Sequence, residues 1–320
     1  MASQWRAVTS ARPSGRVAPV SLRAKVKNAL DEARILVLGV QVLLGFQYRA
    51  FFEPSFDRLP RFNQHLKLAG LVLLLGTIGL IMLPAARHRL VERGEDTAAL
   101  HRFTINVVGL ALLPFAASLG LDLYHAGWTR GPRIALALGV GTFAVALGFW
   151  YGIALVFGHR SPREERGGEM KLEDKIVQVL TETRVVLPGA QALLGFQLAM
   201  TLMQGYEPLP ESSKDIHLAA TCAIALTVIF LMAPPAYHRI VEGGEDTERF
   251  HGFASWMVLA AMVTLPLGFA GDLWIVVRKQ FGSVRAAHLG AATALLFFYG
   301  LWFVAMLVLR AVRDRQRTST

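Results

Sequence analysis

Met82–Thr97 reads MLPAARHRLVERGEDT, and Met232–Thr247 reads MAPPAYHRIVEGGEDT. Eleven of these 16 positions are identical across a separation of 150 residues. A second pair of stretches keeps the same separation: Glu32–Gln47 (EARILVLGVQVLLGFQ) and Glu182–Gln197 (ETRVVLPGAQALLGFQ) agree at nine of 16. Unrelated windows of ordinary composition agree at roughly one position. The chain is therefore a duplicated unit, and its function must be compatible with two copies.

Long apolar runs surround these blocks. The 320 residues are 53% hydrophobic with a mean hydropathy of +0.42. The runs are Leu66–Ala86, Phe103–Tyr124 and Ile134–Gly158 in the first copy, and Leu218–Ala236, Phe253–Val277 and Ala286–Leu309 in the second. Each is long enough to cross a bilayer core of about 30 Å as a helix. Ile35–Phe52 and Val185–Met203 are weaker spans, because each carries two glutamines. The pattern predicts an all-α polytopic membrane protein with eight transmembrane helices, built as two parallel four-helix repeats. A four-span unit returns the chain to its starting side, so the copies are related by an axis along the membrane normal. The predicted organisation is a disordered basic N-terminus at 1–20, a first repeat at 21–158, a cytoplasmic linker at 159–172, a second repeat at 173–311 and a cytoplasmic tail at 312–320. Residues 21–33 read as a short amphipathic interfacial helix ahead of the first span. The basic start lacks the apolar core of a secretory signal.

Net charge is +10. The N-terminal segment, the loops after spans 2 and 6, the central linker and the C-terminal tail hold 23 of the 33 Lys and Arg residues. The positive-inside rule places these, and both termini, in the cytoplasm of a bacterial inner-membrane protein. The charge then reads as a topology signal and an attraction to anionic lipid headgroups. Its scatter over several loops argues against nucleic acid. The single cysteine, Cys222, excludes an intrachain disulfide and reads as a packing residue.

Three sets of polar residues are candidates for chemistry. Each copy carries His-x3-Glu-x2-Glu-Asp-x4-His: His88, Glu92, Glu95, Asp96 and His101, then His238, Glu242, Glu245, Asp246 and His251. His88, Glu92 and His101, with His238, Glu242 and His251, are nitrogen and oxygen donors that suit a divalent metal, and His88 with His101 suits a haem. The plainer reading is a helix stop, a turn, and an N-cap at Asp96 or Thr97. The second set is Gln41 and Gln47 inside span 1, with Gln191 and Gln197 in span 5. Such amides either tie helices together or line a polar path. The third is Asp122 and Asp272, each near the outer end of the third span. Asp122 lies 21 residues beyond His101, about 31 Å along a helix, so the two belong to opposite surfaces.

Each copy resembles a family of small bacterial four-span membrane proteins of unknown function. The marks are Glu32, Arg34, Gly39 and Gln41 entering span 1 and Pro84…His88-Arg89 ending span 2. They recur at Glu182, Arg184, Gly189 and Gln191, and at Ala233-Pro234…His238-Arg239. The first copy departs from the pattern with Leu83 before its proline. The resemblance implies a tandem fusion of two single-unit proteins and supplies no activity. Antiparallel spans 1 and 2 bring their cytoplasmic ends together. The candidate polar cluster is therefore Glu32, Arg34, Gln41, His88 and Arg89 with their equivalents, Glu32 pairing with Arg89 or Arg34. The leading expectation is a non-catalytic protein that binds lipid or a partner, with homo-oligomer and partner membrane protein both open. A conduit for a small solute or ion along the bundle core is the second reading. A metal or haem redox protein is the third. No cofactor is predicted on the leading reading.

Overall fold

A computed structural model describes residues 22–152, 172–240, 242 and 247–318. The basic N-terminus at 1–20 and the linker at 159–171 lie outside them. Every regular element among the described residues is helical. In the first copy these are α1 (Leu22–Ala50), α2 (Pro54–Asp57), α3 (Arg61–Ile81), α4 (Leu83–Leu90), α5 (Ala98–Trp128) and α6 (Pro132–Leu147). The second contains α7 (Leu172–Met200), α8 (Glu211–Ile240), α9 (Glu248–Phe281), α10 (Val284–Tyr299) and α11 (Ala305–Thr318). Six helical stretches are long and apolar enough to cross a membrane. They are Arg61–Leu90, Ala98–Trp128, Pro132–Gly152, Glu211–His238, Glu248–Phe281 and Val284–Gln316.

α1 and α7 are the two long helices outside that set, and packing explains their polarity. They pack on each other across the repeats, and each is also flanked by helices of its own copy. Val26, Leu30, Val37, Val40, Leu44 and Tyr48 of α1 are buried, as are Ile176, Val179, Val186, Ala190, Leu193 and Met200 of α7. A helix enclosed by protein can hold amides and charges that would be costly in lipid. The outermost helices show the reverse. Along Pro132–Gly152, Ile134, Leu136, Val140, Val145 and Phe149 point outward. An apolar surface of that kind suits acyl chains.

Local sequence sets the breaks. α1 is one continuous helix from Leu22, so no separate interfacial helix precedes the span; nothing between Leu22 and Leu38 is glycine or proline. Pro84 cannot donate a backbone hydrogen bond, and the chain breaks into α3 and α4 at Met82. In the second copy α8 runs unbroken through Pro234 and Pro235. Thr97 caps α5 by accepting from the Leu100 N–H at 3.0 Å, and Thr247 caps α9 by accepting from Phe250 at 3.1 Å. The threonine, rather than the aspartate before it, is thus the cap in the first copy.

The last helix of each copy widens into a π turn at an equivalent place, Gly148–Gly152 and Gly300–Val304. Their surroundings differ. Trp302 is fully buried and donates from Nε1 to the Gly79 carbonyl at 2.8 Å, so the last helix of the second copy docks on α3 of the first. Gly79 lacks a side chain where Phe297 presses in, and a Cβ there would meet that ring. Among the described residues Gly148 and Gly152 have no neighbour within 4 Å of where a Cβ would stand, so no described helix makes the close approach that their Gly-x3-Gly spacing suggests.

Candidate functional site

The most concentrated charge in the described core lies where the two repeats meet. Glu182 sits on α7, three residues before Val185, where the weaker apolar run begins. Arg89 at the end of α4 donates from Nη2 to Glu182 Oε2 at 2.7 Å, and Arg34 on α1 approaches the same oxygen at 3.5 Å. Arg34 also holds Asp31 at 2.5 Å. The side chains of Arg34, Arg89 and Glu182 are only 5%, 7% and 5% exposed. Burial by itself raises the Glu182 carboxyl, but the two guanidiniums outweigh burial and hold it below its ordinary value. A carboxylate of one copy thus locks two arginines of the other.

That arrangement departs from the intra-copy pairing expected for Glu32. Glu32 is exposed, and its equivalent in the second copy makes the contacts. The side chains of Arg184 and Arg239 lie outside the described residues. His88 is buried beside the lock, its Nε2 3.8 Å from Asp96 Oδ1. His238 takes a different setting, its ring 4.7 Å from that of Phe250.

Gln41 and Gln191 do not share a track. Gln41 is fully buried, and neither amide atom finds a hydrogen-bond partner among the described residues. It lies against Gly189 of α7, where a Cβ would collide with the Gln41 amide. The glycine of one copy's Gly-x-Gln thus makes room for the glutamine of the other. The reciprocal contact is absent: Gly39 has open space and Gln191 is exposed. Gly45 and Phe196 repeat the theme, with Phe196 occupying the space beside the glycine and stacking obliquely on Phe46 at 4.6 Å.

Of the two histidine and carboxylate sets, Glu245 and Asp246 lie outside the described residues. Among the described residues no group of three His, Cys, Asp or Glu side chains converges as a metal would require. Glu92 is engaged by Arg87 at 3.3 Å and by Arg313 of α11. His101 and His251 lie on different helices, α5 and α9, and Glu242 follows α8.

At the far end of the bundle stands a pair that reading along one helix does not find. Gln47 donates to Asp122 Oδ2 at 2.9 Å, and Gln197 donates to Asp272 Oδ2 at 2.6 Å. The partners are 75 residues apart in both copies, which is the sequence signal for the pair. Distance from His101 along α5 misses it, because the partner is on α1. Lys67 joins Asp122 at 2.8 Å in the first copy. His217 takes the equivalent place in the second, with Nδ1 3.9 Å from Asp272. Asp272 is buried among the helices.

Duplicated helical units, apolar helices of membrane-crossing length and a charged junction define a helical membrane-type protein with an internal repeat. The chain belongs to DUF6328, a family of unknown function, whose family model matches it twice, at residues 22–154 and 166–306. The double match fits a tandem duplication of the family unit. No curated protein and no solved structure matches the chain.

Proposed function

We propose that the chain is an eight-span bacterial inner-membrane protein whose two parallel four-helix repeats form a covalent dimer that binds lipid non-catalytically. The termini and the Arg34–Arg89–Glu182 lock lie on the cytoplasmic side in this reading, where the basic residues concentrate. The carrying observation is the closed seam between α1 and α7. Gln41 is buried against Gly189, and Gln191 is exposed. That seam supports a rigid scaffold over a conduit, because a path needs polar groups in continuous register. The small void beside Glu182, about 20 Å³ and bounded by Thr227, Leu231 and Met262, has room for roughly one water.

Two measurements test the reading. Single cysteines placed at 24 and 312 in a Cys222→Ala background should react with an impermeant maleimide only in inverted vesicles. Purified protein in liposomes should pass neither protons nor small solutes above the rate of empty vesicles. Robust flux abolished by Gln41→Leu overturns the scaffold and restores the conduit.

A further inference from the structure

We infer that the cavity between the repeats is a binding site for a phosphate-type oxyanion, seated beside the Glu182 lock. The inference rests on the lipid-binding reading above and gives it a site. The cavity measures 270 Å³, near the small end for ligand pockets, and the end of the first copy's α4 and the second copy's α7 and α9 enclose it. Its polar lining is rich in nitrogen. Arg89 and Gln178 line it, and Arg89 Nε and Gln178 Nε2 are buried without a hydrogen-bond partner among the described residues. Gln178 is 6% exposed, and the Arg89 side chain is 7% exposed. Buried N–H donors left unpaired are costly, and two beside one cavity fit a ligand made of acceptor oxygens. The Glu182 carboxylate does not oppose this, because Arg89 and Arg34 already neutralise it and hold its Oε2.

Backbone strain at the mouth points the same way. Arg93 lines the cavity and sits at φ 54°, the one non-glycine residue with positive φ among those described. The second copy has Gly243 at the equivalent position. Glycine takes that conformation freely, whereas arginine is strained in it. The first copy thus keeps a guanidinium at the cavity mouth against its backbone preference. Arg93 reaches Asp314 at 3.3 Å, in an exposed pair that water screens and a ligand can compete with. Trp256, 70% exposed, and Leu259 complete the rim on α9. An aromatic residue beside an anion pocket suits a molecule whose head is charged and whose tail is apolar.

The phosphate can belong to a lipid headgroup or to a soluble ester, and the experiment separates them. The full chain, delipidated in detergent, is titrated with dioleoyl-phosphatidylglycerol, with dioleoylglycerol, which has the same chains and no phosphate, and with glycerol 3-phosphate. Native mass spectrometry reads occupancy. The expected result is one phosphatidylglycerol bound and no dioleoylglycerol. Gln178→Leu and Arg93→Gly should each weaken binding about tenfold, with Arg93→Gly unfolding no earlier than the wild type. Glycerol 3-phosphate binding with the same variant sensitivity assigns the pocket to a soluble phosphate. Dioleoylglycerol bound as tightly as phosphatidylglycerol, or both variants binding like the wild type, overturns the proposal. Flux in liposomes would overturn the scaffold reading whatever this titration gives, so the two failures are distinguishable.

Discussion

Replacing Glu182 with glutamine should destabilise the protein more than any other single change at the junction. The substitution keeps shape and removes one negative charge, leaving Arg89 facing a neutral amide with its side chain only 7% exposed. Arg34 suffers less, because Asp31 remains 2.5 Å away. Stranding one buried charge costs about 3–5 kcal/mol. At 1.4 kcal/mol per decade, that is a shift of roughly two to three and a half decades in the folded-to-unfolded ratio. Unfolding in mixed micelles of rising SDS fraction, followed by tryptophan fluorescence, measures it. A second arm removes both charges: Glu182→Leu with Arg89→Leu should recover much of the loss, since apolar replacement of a buried pair is often near neutral. The pH dependence has a defined sign. The Glu182 carboxyl is held below its ordinary value in the folded state, so its contribution is fully present above the ordinary carboxylate range. That contribution falls away as pH drops through the lowered folded value. The wild type should therefore lose its advantage over Glu182→Gln in acid. A variant within about 1 kcal/mol of wild type at neutral pH would refute the lock, because such a loss is usual for a surface pair.

Two further outcomes follow from the seam and the caps. Gly189→Leu should cost about 1–3 kcal/mol by overpacking against Gln41, while Gly39→Leu, which meets open space, should change little; Gln41→Leu, which removes a buried amide with no partner among the described residues, should raise the SDS midpoint, and a drop would reveal a partner for that amide. Thr97→Ala and Thr247→Ala should each cost about 1 kcal/mol through a lost N-cap, and hydrogen exchange at Leu100 and Phe250 should accelerate; unchanged exchange at both would remove the caps from the account.

Local features were legible and docking was not. The duplication, the helices and the capping threonines are written in residues close together in sequence, and periodicity and turn chemistry reveal them. α1 and α4 meet as antiparallel neighbours must, which brings Arg34 and Arg89 together on one carboxylate. The identity of their carboxylate was hidden. Glu32 and Glu182 occupy the same motif position, and no local rule separates them. Only the packing of α1 on α7 selects Glu182. The Gln47–Asp122 pair was hidden for a related reason. Its members lie on different helices, and a search for partners along α5 stops at the helix surface. The equal 75-residue spacing in the two copies carries the information, and only comparison between copies extracts it.

Duplication relaxes a constraint that a symmetric dimer would impose. In a two-fold dimer of identical units each interface contact occurs twice. Here one Gly-x-Gln contact is made and its reciprocal is open, with Gln41 against Gly189 while Gly39 faces space. One tryptophan of the π-turn pair docks: Trp302 bonds across to Gly79, whereas Trp150 stacks on Phe115 within its own copy. At the far end Lys67 in one copy answers His217 in the other, beside a half-buried aspartate in the first and a buried one in the second. A homodimer could not place lysine at one site and histidine at its twin. Fusion of two units lets each copy drift while the other maintains the fold, so differences between the copies locate specialisation. By that logic Arg93, strained where its twin is Gly243, belongs to a role that the first copy alone performs.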